Sequence, residues 1–315
     1  MTKTERYTKT RWIATFSIVA IDPATRQIGA AVQSKAFAVG NVVPWVKAGI
    51  GAIATQAYSL ASYGNQLLSA LEKGEKPETA LQQALSKDSL ASQRQIGLVN
   101  ASGESAVHTG TDCLEWAGGI SKPGFAVQGN ILAGEDVVQA MAQAFSDTSG
   151  GLGYRLLIAL EAGQAAGGDR RGQQSAALIV EQSDYHQVSS RGIDRLIDLR
   201  VDDHTAPIAE LRRLYGIWEH NNMLEIGLIH YNNQDYSAAV KSMVDANQKY
   251  PDDAPILYNL ACFEALAGNP VDSLEHLGQA ISLDRSFRDA ARTDADFDSL
   301  RDQADFKELL EPGRS

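Results

Sequence analysis

Along roughly the first two thirds of the chain, short apolar blocks are closed by turn residues. Thr15–Ile21, Ile28–Gln33, Gly49–Gln56, Gln95–Asn100, Ser105–Thr109, Phe125–Gln128, Ser175–Glu181 and Tyr185–Ser189 read as strands. Asp22-Pro23-Ala24-Thr25-Arg26 is a turn sequence, so the first two strands are expected to form a hairpin. Asn100-Ala101-Ser102-Gly103 does the same for the pair that follows. Helical stretches fall between strands at about Leu60–Glu72, Pro77–Leu85, Glu135–Phe145 and Gly153–Ala162. Pro77 suits a first helical turn, where a missing N–H costs nothing. Hairpins separated by pairs of helices predict a mainly antiparallel α+β architecture, which fits better than a Rossmann-like βαβ alternation.

At about Pro207 the pattern becomes helical and more polar, with a repeat of period 34. At that shift Gly227 maps onto Ala261, Ala239 onto Ser273 and Ala246 onto Ala280. Small residues at these places let paired helices approach closely. Tyr250-Pro251 closes the first unit, and Arg285 stands where a second proline would fall. This pattern resembles the tetratricopeptide repeat. The stretch from Asp296–Leu300 through Phe306–Leu310 reads as a capping helix pair. Two repeats bury too little surface to stand alone, so they are expected to dock on the first domain or on a second subunit.

Charge and cysteine usage narrow the function classes. The formal net charge of -11 argues against nucleic acid, whose phosphates need a basic surface. No run is long enough to span a bilayer. The start is basic, with Lys3, Arg6, Lys9 and Arg11 against Glu5, but no sustained apolar stretch follows it as a signal peptide requires. Cys113 and Cys262 fall in different predicted domains, so neither a disulfide framework nor a metal cluster is expected. A cytoplasmic protein is the expectation. Its domains are a leader over 1–13, an α+β domain over 14–206 and a helical domain over 207–315.

Five stretches then carry a resemblance. They are Thr15-Phe16-Ser17-Ile18-Val19-Ala20; Ala36-Phe37-Ala38-Val39-Gly40 with Val43-Pro44; Gly51-Ala52-Ile53-Ala54-Thr55-Gln56; Val127-Gln128-Gly129-Asn130; and Gly167 through Ala177. In this order and spacing the region from about Ala14 to Leu211 resembles domain-of-unknown-function family 1028, which is placed among the N-terminal nucleophile (Ntn) hydrolases. The resemblance implies a four-layer αββα sandwich with a nucleophile at the start of the first strand, here Thr15. It implies amide hydrolysis through an acyl-enzyme as the general chemistry, and no particular substrate. A threonine with a free α-amine carries its own base, since the amine titrates at about 8 and takes the hydroxyl proton. Fourteen residues precede Thr15, so activity requires cleavage between Ala14 and Thr15.

Other candidates surround that threonine. Lys35 ends the second strand, where it is suited to lower the amine's pKa or to hold a substrate carboxylate, and Ser34 is suited to orient the nucleophile. In related folds the backbone at Thr55 and Gln56 lines an oxyanion pocket. Gln128-Gly129-Asn130 runs from a strand end toward a helix, with Asn130 able to donate or accept. In the loop Gly167-Gly168-Asp169-Arg170-Arg171-Gly172, resemblance to proteasome-like relatives implies that Asp169 supports the amine. Arg170 and Arg171 are suited to hold a carboxylate or phosphate. Asp202-Asp203-His204 reads as a helix start or interface rather than a metal site. The leading expectation is an amide-bond hydrolase with no metal or organic cofactor, acting on a small amide or peptide-like substrate, and a homodimer. The alternative is a non-catalytic binding or assembly protein that docks a protein partner through its helical repeats.

Overall fold

The computed structural model describes residues 12–13, 15–187, 189 and 192–311. Most of the expected leader, residues 1–11, and Ala14 lie outside the described residues. The chain forms two compact units, divided between Tyr215 and Gly216.

The first unit is built on two antiparallel sheets. One has six strands in the order β11-β10-β3-β2-β9-β8: β2 (Thr15–Asp22), β3 (Gln27–Ser34), β8 (Gly118–Lys122), β9 (Phe125–Asn130), β10 (Ser175–Gln182) and β11 (Arg195–Val201). The other has five: β1 (Trp12–Ile13) and β4 (Pro44–Lys47) both pair with β5 (Gly51–Tyr58), followed by β6 (Arg94–Asn100) and β7 (Ser105–Thr109). Both expected hairpins are present. β2 and β3 pair from Thr15↔Ser34 to Asp22↔Gln27, around a turn in which Asp22 Oδ1 accepts the Ala24 N–H. β6 and β7 close over a turn in which Asn100 Oδ1 accepts the Ser102 and Glu104 N–H groups.

Strand alternation gives each sheet an inner and an outer face. Val19, Ile21, Ile28, Ala30 and Val32 meet Ala52, Ala54 and Val99 between the sheets. On the outer face of the five-stranded sheet, Ile53, Ile96 and Leu98 pack on Tyr63, Leu67, Leu71 and Leu81. These come from α1 (Ser62–Glu72) and α2 (Pro77–Leu85), the latter opening on Pro77 as expected. On the outer face of the six-stranded sheet, α3 (Asp136–Asp147) lies over β9 and α4 (Leu152–Ala165) over β2, β3 and β10. Full burial of side chains such as Phe16 and Leu178 contributes about 2–3 kcal/mol apiece.

One strand expectation is corrected. Tyr185–Gln187 is a turn of 3-10 helix, and the partner of β10 is β11, further along. β11 carries Arg195, Asp198 and Arg200 among its apolar residues. Their charges suit an edge strand, where Arg195 pairs with both Glu181 and Asp198.

The second unit contains the end of α5 (Pro207–Asn232), then α6 (Tyr236–Lys249), α7 (Ala254–Leu266), α8 (Pro270–Leu283), α9 (Ser286–Thr293) and α10 (Ala304–Leu310). Asp235 and Asp253 cap α6 and α7 by accepting the Ala238 and Ile256 N–H groups. The small residues spaced by 34 are buried here: Ala239, Ala246, Ala261 and Ala280 lie in one core, and the buried Ser273 donates its hydroxyl to Ala261 O. A Cβ on Gly227 would come within 2.6 Å of the Met243 methyl, so a larger residue there would require the methionine to shift. In the expected capping pair, Ala295–Leu300 is 3-10 helix and only α10 is α-helical.

Candidate functional site

Thr15 is the first residue of β2, inside the six-stranded sheet. Its register partners are Ser34 on β3 and Asn130 on β9, and Ser34 pairs in turn with Ser175 on β10. Four polar residues therefore form one row across four strands, and all four are fully buried. Thr15 and Ser17 alternate with Phe16 and Ile18, which puts them on the inner face with Val19 and Ile21.

Beneath this row an amide network joins the two sheets. The Gln56 amide donates to the Thr15 carbonyl at 3.3 Å and to Gln95 Oε1 at 2.8 Å. Its own oxygen accepts the Ser17 hydroxyl at 2.7 Å, and Ser17 Oγ accepts from Gln128 Nε2 at 2.6 Å. Gln95 Oε1 also accepts Asn130 Nδ2 at 3.0 Å, while Gln95 Nε2 donates to the Gly129 carbonyl at 2.7 Å. Each amide's orientation is set by the next. Gly97 makes room for this, since a Cβ there would sit 1.9 Å from Gln128 Oε1. The paired amides hold one arrangement, while Gln128 Oε1 has no hydrogen-bond partner among the described residues. The network thereby fixes the carbonyl of Thr15 and the side chain of its neighbour Asn130.

Asp169 closes one end of the row. Its buried carboxylate accepts from the Lys35 N–H at 3.1 Å, the Arg171 N–H at 2.9 Å, and Arg171 Nε and Nη2 at 3.2 and 2.9 Å. The Arg170 N–H donates to Ile131 O, and Leu132 bridges to Asp169, so the loop is stitched to the chain just beyond Asn130. Gln174 N–H donates to Ser34 O on the other side. Lys35 Nζ is exposed and donates to the Gln173 carbonyl at 3.1 Å.

Of the expected site residues, Thr15, Ser34, Gln56, Gln128 and Asn130 are thus gathered on the inner face, and Lys35, Asp169, Arg170 and Arg171 at its rim. Thr55 is not among them. It alternates with Gln56 and shares the outer, helix-covered face with Ile53. Its N–H donates to Val43 O and its hydroxyl approaches Leu60 O. Ser17 and Gln95 were missed. For Gln95 the signal is a glutamine near one end of each of three apolar strands: Gln56, Gln95 and Gln128.

Elsewhere, burial pushes the Cys113 thiol up to about 11, which keeps it protonated and unreactive. Cys262, Asp294 and Asp296 bring three ligand atoms within 4.8 Å of one another. The two half-buried carboxylates there accept the Tyr258 and Tyr231 hydroxyls. No helix among the described residues is long and apolar enough to cross a membrane.

Two facing antiparallel sheets with helices outside them, followed by a helical unit, define a mixed α+β protein with an all-α extension. The sequence profile of DUF1028, a family of unknown function, matches residues 15–211, so the chain belongs to that family. Among solved structures it is similar to protein SPO2555 from Silicibacter pomeroyi, also of DUF1028. The two are 32% identical with a TM-score of 0.59, over 64% of this chain and 85% of that one. No curated protein matches this chain.

Proposed function

We propose that this protein is an amide-bond hydrolase of the Ntn kind, with Thr15 as nucleophile once the bond to Ala14 has been hydrolysed. The observation that carries the reading is the position of Thr15: first residue of an inner strand, between Ser34 and Asn130, with its carbonyl held by Gln56. The layer order of helices, sheet, sheet and helices supports this reading. The family match also begins at Thr15.

In this mechanism Thr15 Oγ attacks the substrate carbonyl while the neutral α-amine takes the hydroxyl proton. The tetrahedral intermediate collapses, the amine product leaves with that proton, and an ester to Thr15 remains. Water hydrolyses the ester, again with the α-amine as base. Asp169 and Lys35 tune the electrostatics from the rim, and Ser34 and Asn130 flank the hydroxyl. We read the second unit as tetratricopeptide-like, supported by its buried small residues at the repeat spacing, and assign it a protein partner or a second copy of the chain.

Thr15 is fully buried in the uncut chain, and that observation favours a second reading. In it the uncut protein is a non-catalytic binding or assembly module. The experiment that separates the two is intact-mass measurement of the wild type and of Thr15→Ala, together with reaction against activated acyl esters. The catalytic reading expects an acyl adduct on a chain beginning at Thr15 and none on the variant. An uncut chain that stays unlabelled supports the module.

A further inference from the structure

Two cationic side chains at the rim beside Thr15, Lys35 and Arg170, form no ion pair among the described residues. Lys35 follows Ser34, the partner of Thr15 on one side. Arg170 is tied through its N–H to Ile131, which follows Asn130, the partner on the other side. One cationic residue thus directly follows Ser34 at the end of β3, and the other lies in the loop whose backbone is bonded to Ile131, just past the end of β9. Both are exposed. The carboxylate nearest to them along the chain, that of Asp169, is already met by one N–H of Lys35 and three donors of Arg171. Lys35 Nζ is bonded to a carbonyl rather than an acid. Among the described residues neither Lys35 nor Arg170 forms an ion pair, while the salt bridge in the loop belongs to Arg171. In a chain of net charge -11, two cations without acid partners beside a candidate nucleophile are suited to an anion brought from outside.

We propose that Lys35 and Arg170 form a carboxylate subsite, and that the amide taken at Thr15 carries a carboxylate close to its scissile bond, as an N-acyl amino acid does. The inference rests on the reading of Thr15 as nucleophile for its chemistry, and on the two cations alone for its binding. Arg170 presents a fork of donors that matches a carboxylate, and Lys35 adds a point charge from the opposite side.

Binding of N-acetylalanine and of its neutral N-methylamide to the full chain tests it by titration calorimetry. The carboxylate is expected to bind at least about tenfold more tightly, as charge-assisted hydrogen bonds provide. That preference should shrink several-fold in Arg170→Gln and in Lys35→Gln, and fall with added salt. Equal affinity for the two compounds, no measurable affinity for the carboxylate, or a preference untouched by both substitutions overturns the subsite. Thr15→Ala keeps both cations and should keep the preference. If that variant instead hydrolyses amides as fast as the wild type, the nucleophile reading fails while the subsite stands.

Discussion

Replacing Gln95 by leucine removes the hub of the inter-sheet network at nearly constant volume. Gln95 Nε2 donates to Gly129 O at 2.7 Å, Thr109 Oγ1 at 3.0 Å and Gly118 O at 3.2 Å. Its Oε1 accepts from Gln56 at 2.8 Å and from Asn130 at 3.0 Å. A net hydrogen bond contributes about 1 kcal/mol, and a buried polar group that loses its partner costs about 1–3 kcal/mol. The five bonds share one side chain and are not additive, and leucine recovers some apolar burial. The expected loss is therefore about 2–4 kcal/mol. Urea unfolding measures it, followed by fluorescence in a Trp218→Phe background. There the remaining tryptophans, Trp12, Trp45 and Trp116, all belong to the first unit. The midpoint should fall with an unchanged slope. Thr109→Val removes one of the five bonds and should cost about 1 kcal/mol. A loss below about 0.5 kcal/mol for Gln95→Leu would refute the claim that these amides hold the sheets in register.

Two further predictions concern pH. Arg94 donates to Asp88, and this hydrogen bond is the largest cause holding the carboxyl down at about 2. Its folded value lies below the ordinary aspartate value of 3.8, so its contribution is present above about pH 4 and is lost as pH falls toward 2. After solvent screening it is worth about 1–2 kcal/mol, and Asp88→Asn should flatten the acid limb of a pH–stability curve by that amount. In the second unit the Glu264 hydrogen bond raises the pKa of His276 above its ordinary value of 6.5, against desolvation. The stabilisation from this pair is complete below about pH 6 and is lost as pH rises through the folded value. His276→Gln should remove that dependence, read from thermal unfolding of the helical unit between pH 6 and 9.

Particular residues show what the sequence discloses. The β2–β3 hairpin was legible because Asp22-Pro23 breaks two apolar runs of matching length, and the α2 start was legible from Pro77. β11 was not, because Arg195, Asp198 and Arg200 interrupt its apolar pattern, as an edge strand allows. Adjacent strand residues point oppositely, so with the Gln56 side chain inward the Thr55 side chain faces the helices. The glutamine network was hidden for another reason. Gln56 and Gln95 sit on one sheet and Gln128 on the other, and only the packing of the two sheets brings their amides together. The row through Thr15, Ser34 and Asn130 likewise depends on register, which a single strand does not reveal.

The mass and N-terminal sequence of the protein recovered from its own cells test the central claim most directly. The mature chain is expected to begin at Thr15. Protein that keeps the Ala14–Thr15 bond in its working state would contradict it.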